Sequence, residues 1–156
     1  MSARTFFDTN VLVYILQGSQ PRAQAPVASA EQDANLKAEL ILSILERSRV
    51  VLGVQVFNEL CNVSLRRSFS WAATMALLQG LEELSEEIAP LTHATHRFAL
   101  ALRQKYRLQL YDSMRLAAAL EAGCSLFLSE DMQDGQVIEG TLTIRNPFAS
   151  GTSLMP

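Results

Sequence analysis

The chain has 156 residues, 49% of them hydrophobic, and 13 Lys and Arg against 16 Asp and Glu give a formal net charge of −3. That length suits one domain with one core, which fold and chemistry must share. No apolar run reaches the roughly 18–20 residues that span a bilayer. The apolar N-terminal stretch is interrupted by Asp8 and Asn10 and lacks a clean cleavage site, so it reads as the start of a mature cytosolic fold.

The acidic total argues against a nucleic-acid partner, but the distribution does not. From Ile88 to Tyr111 there is no acid, while Arg97, Arg103, Lys105 and Arg107 are all basic; Arg66 and Arg67 lie in a second acid-free stretch, Leu60 to Leu81. Such patches suit phosphates and suit solvated helix faces equally well. Cys61 and Cys124, the only cysteines, sit in apolar contexts without ligand spacing and are expected as reduced, buried thiols.

Thr5-Phe6-Phe7 reads as a buried strand ending at Asp8, with Thr9 or Asn10 capping a helix over VLVYIL. Gln17–Asn35 is rich in Pro, Ala, Gln and Ser without periodicity and reads as a loop or insertion. Helical spacing follows over Leu36–Arg47, Val54–Arg66, Trp71–Leu84 and Thr92–Tyr106, the last with Phe98, Ala101 and Leu102 inward. A further helix spans Asp112–Ala122, terminated by Gly123. Strands are expected at Val50–Leu52, Ile88–Leu91, Cys124–Leu128 and Leu142–Ile144, and the acids at the end of the Trp71 helix read as solvated surface. Alternating strands and helices predict a three-layer α/β/α domain with a mainly parallel sheet over residues 1–148, and a flexible tail over 149–156.

In such a sheet, ligands bind beyond the carboxyl ends of the strands. Asp8 directly follows the first strand, and Asp131 lies three residues beyond Leu128, so both emerge at one edge if those strands are parallel. Asp112 opens a helix, and Glu59 sits at the margin of its helix's apolar stripe. Taken alone, Asp112 reads equally as a first-turn residue paired with Arg115, and Glu59 as a surface glutamate. Asp8 is harder to dismiss, because an acid between Phe7 and an apolar helix must be paired or metal-bound to be buried.

FDTNVLVY, VQVFNEL, LYDSMRLAAALEAGC and LSEDMQDG followed by LTIRNPF, in this order, together resemble the PIN-domain nucleases, and most closely the VapC-type toxins of toxin–antitoxin operons. The resemblance spans Arg4 to Phe148. It implies an endoribonuclease whose catalytic and metal-binding acids are Asp8, Glu59, Asp112 and Asp131. It also implies that Thr9, Asn10 and Ser129 support the site by hydrogen bonding, with Asp134 as a further nearby acid. Asp131 is favoured over its neighbour Glu130 because the S-x-D spacing is the family's. The expected partners are RNA, a cognate antitoxin and a second copy of the chain through Trp71–Leu84. Arg66, Arg67, Arg97, Arg103, Arg107 and Arg115 are the candidate phosphate contacts.

Converging carboxylates need cationic compensation, and an all-oxygen donor set suits Mg²⁺ or Mn²⁺ rather than zinc. His93 and His96 mimic a ligand pair but read as helix-surface residues. A haloacid-dehalogenase-type phosphatase would need a second Asp two residues after the first, where this chain has Asn10. A non-toxin PIN-domain RNA-processing nuclease and a non-catalytic RNA-binding PIN module are the remaining alternatives.

Overall fold

Thr5, Phe6 and Phe7 are almost wholly excluded from solvent, as expected for a central parallel strand covered on both faces. In the computed structural model, which describes residues 2–20 and 29–151, they lie in β1 (Arg4–Phe7), followed by α1 (Thr9–Gly18), α2 (Ser29–Arg47), β2 (Arg49–Gly53), α3 (Val54–Arg66) and α4 (Trp71–Leu84). The chain continues through β3 (Ser85–Ala89), α5 (His93–Tyr106), α6 (Leu110–Glu121), β4 (Leu126–Leu128), β5 (Val137–Ile138) and β6 (Leu142–Arg145). The sheet order is β3-β2-β1-β4-β6-β5, parallel except for the β5–β6 pair. Helices α1 to α4 pack among themselves and α5 packs on α6, giving the three-layer α/β/α arrangement.

The core is centred on Phe6 and Phe127, whose rings stack at 5.1 Å. Gly53, where β2 passes into α3, lets this stack form: a Cβ there would meet Phe6 Cζ at 3.0 Å. Gly123 takes φ +69° and ends α6 as expected. Among the described residues no helix is long and apolar enough to cross a membrane.

Several expectations are corrected. Of the Gln17–Asn35 segment, Gln17 and Gly18 belong to α1 and Ser29–Asn35 to α2; residues 21–28 lie outside the described set. Leu36 is not core-facing but 65% exposed, because the buried face of α2 is formed by Ala38, Ile41, Ile44 and Leu45. On α5 the inward residues are Ala99 and Leu102, with Phe98 partly buried and Ala101 exposed. The third strand is Ser85–Ala89 rather than Ile88–Leu91. The acids Glu86 and Glu87 are therefore strand residues with partners. Arg4 and Arg49 sit opposite each other on β1 and β2, a repulsive arrangement by itself. Glu86 bridges them at 3.1 and 2.6 Å, and Glu87 also pairs with Arg4. The two-residue β5 was not anticipated. Of the expected tail, Ala149 is still tied by its N–H to Asn146 O at 3.3 Å, and residues 152–156 lie outside the described set. Both cysteines are free; Cys124 is buried, which pushes its thiol up to about 12, and Cys61 is only partly covered.

The Gly53–Phe6 contact makes a paired prediction. Gly53→Ala is expected to lower the unfolding free energy by about 1–3 kcal/mol through overpacking. Gly80→Ala, in the interior of α4 with nothing within 4 Å of the new Cβ, is expected to raise it by about 0.5–1 kcal/mol. Urea unfolding of the two variants beside the wild type checks both signs.

Candidate active site

Strands β1 and β4 are neighbours and parallel, with Phe7 in register with Leu128. The Asp8 N–H continues this ladder by donating to Leu128 O at 2.9 Å. Asp8 and Ser129 thus leave the sheet side by side. The strand order also turns here: β2 and β3 lie to one side of β1, and β4, β6 and β5 to the other. A doubly wound sheet opens a crevice at such a point, and here a cleft of about 340 Å³ is lined by Asp8, Asn10, Glu59, Arg67, Arg115 and Asp131, among others.

Asp8, rather than Thr9 or Asn10, is the N-cap of α1: its backbone is extended and its Oδ1 accepts from Thr9 N at 2.8 Å. It is 1% exposed. Burial raises its carboxyl to about 6, against the lowering influence of the Arg115 guanidinium and of hydrogen bonds from Ser129 and Thr9. Oδ2 accepts from Ser129 Oγ at 2.9 Å and Asn10 Nδ2 at 3.4 Å. Glu59, on α3, receives Thr9 Oγ1 at 2.6 Å on one oxygen and Gln55 Nε2 at 3.0 Å on the other. Asp112 lies in the first turn of α6, which opens at Leu110.

Arg115 joins these three acids. Its guanidinium lies 3.2 Å from Asp8 Oδ1, 3.1 Å from Glu59 Oε1 and 3.0 Å from Asp112 Oδ1. The expected Arg115–Asp112 pair is therefore present, but as one arm of a three-way contact inside the site. Burial lowers the Arg115 pKa, but Asp8, Glu59 and Asp112 outweigh it and hold the group above its ordinary range. Asp131 is linked less directly. Asn10 Nδ2 donates to Asp131 Oδ2 at 3.1 Å and to Ser129 Oγ at 3.0 Å, and Asp131 N donates to Ser129 Oγ at 3.3 Å.

The structure thus brings together Asp8, Thr9, Asn10, Glu59, Asp112, Asp131 and Ser129. Asp134 instead holds Asn146 N at 2.9 Å and does not line the cleft. Glu130 lines the cleft but is engaged by Tyr14 Oη at 2.6 Å and Lys37 Nζ at 3.2 Å, with Lys37 also lying over the Tyr14 and Phe148 rings. Arg67 lines the cleft; Arg66, Arg97, Arg103 and Arg107 are exposed outside it. His93 is exposed and His96 half-buried on α5. Sequence reasoning missed Gln55 and the Tyr14–Lys37–Glu130 cluster. The four-residue spacing of Gln55 and Glu59 was the available signal for the first.

Among the described residues no three His, Cys, Asp or Glu side chains stand grouped as a finished metal site. The donor chemistry nevertheless fits a hard divalent cation. Three carboxylates facing one guanidinium leave two negative charges uncompensated when all are ionised, the charge of one such ion.

The raised Asp8 carboxyl has a stability consequence. Its folded pKa of about 6 exceeds its ordinary 3.8, so in metal-free protein the folded state binds the extra proton between these values. Stability from this group is full below pH 3.8 and falls as pH rises to about 6, by up to about 3 kcal/mol. Asp8→Asn should remove most of that slope and match or exceed wild-type stability at pH 7.5. Urea midpoints in EDTA at pH 4, 6 and 7.5 test this, and a variant less stable by more than about 2 kcal/mol at pH 7.5 would contradict it.

The PIN domain family matches residues 5–133. No curated protein matches the chain. Among solved structures, a toxin–antitoxin complex from Klebsiella pneumoniae superposes with a TM-score of 0.60 at 20% identity, covering 92% of this chain and 98% of that one. FitAcB from Neisseria gonorrhoeae gives 0.52 at 18%, covering 92% and 97%. VapC20 from Mycobacterium tuberculosis, a sarcin–ricin loop cleaving toxin, gives 0.50 at 17%, covering 79% and 86%. These likenesses carry the fold, and the family match carries the assignment: with its acids gathered where β1 and β4 diverge, the chain belongs to the PIN domain family, a family of nucleases.

Proposed function

We propose that this chain is a divalent-cation-dependent endoribonuclease, the VapC-type toxin of a type II toxin–antitoxin pair acting in the cytoplasm. The observation that carries the nuclease reading is the gathering of Asp8, Glu59 and Asp112 around one cationic centre at the sheet's switch point. The toxin reading is supported by the likeness to a toxin–antitoxin complex and to a toxin described as cleaving the sarcin–ricin loop.

In this reading Asp8, Glu59, Asp112 and Asp131 hold Mg²⁺ or Mn²⁺, which when bound acidifies water and stabilises charge on a phosphodiester. The chain's own residues supply the rest. Ser129 and Asn10 fix Asp8 and Asp131 relative to each other, and Thr9 and Gln55 fix Glu59. Arg67, at the rim, offers a donor to a phosphate of the bound strand. RNA is the substrate, a cognate antitoxin is the controlling partner, and a homodimer forms through the exposed Trp71 and Met75 of α4.

Asp8→Asn and Asp112→Asn are each expected to lower Mg²⁺- or Mn²⁺-dependent RNA cleavage at least about a hundredfold, while the far-ultraviolet circular dichroism stays that of the wild type. Undiminished cleavage by both purified variants would overturn the assignment, and EDTA should abolish wild-type cleavage. Arg67→Ala should weaken RNA binding without sequence preference and reduce the slope of log affinity against log salt by about 0.7–1; a slope equal to wild type would remove Arg67 from the phosphate path.

A further inference from the structure

We propose that Arg115 is a resident counter-cation of the acidic site, which a divalent ion must displace to load. The inference rests on the metal-dependent reading above and adds how that site is regulated. The guanidinium does not merely lie near the acids; it contacts all three. Asp8 Oδ1, Glu59 Oε1 and Asp112 Oδ1 are all within 3.0–3.2 Å of its nitrogens. Asp8 and Glu59 are fixed by other donors as well: Asp8 Oδ1 and Oδ2 accept from Thr9 N at 2.8 Å and Ser129 Oγ at 2.9 Å, and Glu59 Oε1 and Oε2 from Gln55 Nε2 at 3.0 Å and Thr9 Oγ1 at 2.6 Å. A divalent ion drawn to these three acids would compete with the guanidinium for the same carboxylates. Such an ion would need oxygens closer than the 3.0–3.2 Å at which the guanidinium nitrogens now stand.

The way Arg115 is anchored fits an exchange. Among the described residues its buried Nε has no hydrogen-bond partner, and the polar contacts of the head are those of its terminal nitrogens with the three acids. Asp112 lies one turn away on the same helix, leaving Arg115 a local partner as its head moves off Asp8 and Glu59. An always-charged, forked side chain meets three acids at once, which the single ammonium of Lys does less well. Without metal, Arg115 keeps the carboxylates together; with metal, it is the competitor.

The test is Mn²⁺ titration calorimetry at pH 7.5 on the purified chain, beside thermal melts in EDTA, for wild type, Arg115→Met, Arg115→Lys and Asp8→Asn. Arg115→Met is expected to bind Mn²⁺ at least about tenfold more tightly than wild type, a change of about 1.4 kcal/mol. It should also melt lower in EDTA and gain more from Mn²⁺. Arg115→Lys, which keeps the charge but not the forked contact with three acids, should bind with an affinity between those of wild type and Arg115→Met. Should Arg115→Met fail to fold, Arg115→Gln takes its place in the same titration. Equal or weaker Mn²⁺ binding by the neutral variant, in a wild type that binds Mn²⁺ and loses it in Asp8→Asn, would overturn the exchange and leave the metal site standing. Absence of Mn²⁺ binding in every form, the neutral variant included, would overturn both.

Discussion

Asp8 sits at the end of a strand buried on both faces, 1% exposed itself, and the surrounding architecture answers the cost of placing a carboxylate there. Desolvation of an unpaired ion costs several kcal/mol. Here the answer comes from every side: Thr9 N and Ser129 Oγ donate to it, and Arg115 reaches it from α6, in the opposite helical layer. Because Arg115 also binds Glu59 of α3, this one ionic contact joins both helical layers across the end of the sheet. The two sides are not equivalent: removing Arg115 leaves Asp8 buried without a cation, whereas removing the Asp8 charge leaves Arg115 its pairs with Glu59 and Asp112.

Rigidity of the acids follows from how their oxygens are shared. Asn10 works at both ends of its amide: Nδ2 donates toward Asp131 and Ser129, while Oδ1 accepts from Glu130 N at 3.2 Å. That ties the loop after β4 to the first turn of α1, and Tyr14 and Lys37 then hold Glu130 from the other side. Asp131 is consequently the freest of the four acids, exposed and tethered through a neutral amide, whereas Asp8 is the most constrained. A site with one fixed carboxylate and one at the rim can keep its geometry while admitting a substrate strand.

Much of this was legible in the chain. The TFF–Asp8 junction, the placing of Asp131 after LFL and the Gly123 terminator follow from strand hydrophobicity and backbone chemistry that are local in sequence, and the structure has each where expected. The misplacements share a different character. Strand β3 moved because its partners are Arg4 and Arg49, more than 30 residues away, and no local pattern shows that Glu86 and Glu87 will be paired rather than solvated. Ser29–Asn35 reads as loop because no apolar period marks it, yet its Ala, Glu and Gln are good helix formers and it makes the first turns of α2. Arg115 was visible as a three-residue neighbour of Asp112; that it would be shared with acids 56 and 107 positions away was not.

The same sharing resolves the conflict between net charge and substrate. A formal −3 spread over the surface would repel a polyanion, but part of it is internal. Asp8 is buried, and the oxygens of Asp8, Glu59 and Asp112 nearest Arg115 are already neutralised in part by it. Other acids are consumed in pairs: Glu86 and Glu87 by Arg4 and Arg49, Glu130 by Lys37, and Glu139 by Lys105. Arg67, at the cleft rim, is in no ion pair among the described residues and lies over the Phe69 ring at 6.0 Å. At the mouth of this cleft charges of both signs stand exposed, Arg67 and Asp131, while Asp8, Glu59 and Asp112 are paired with Arg115.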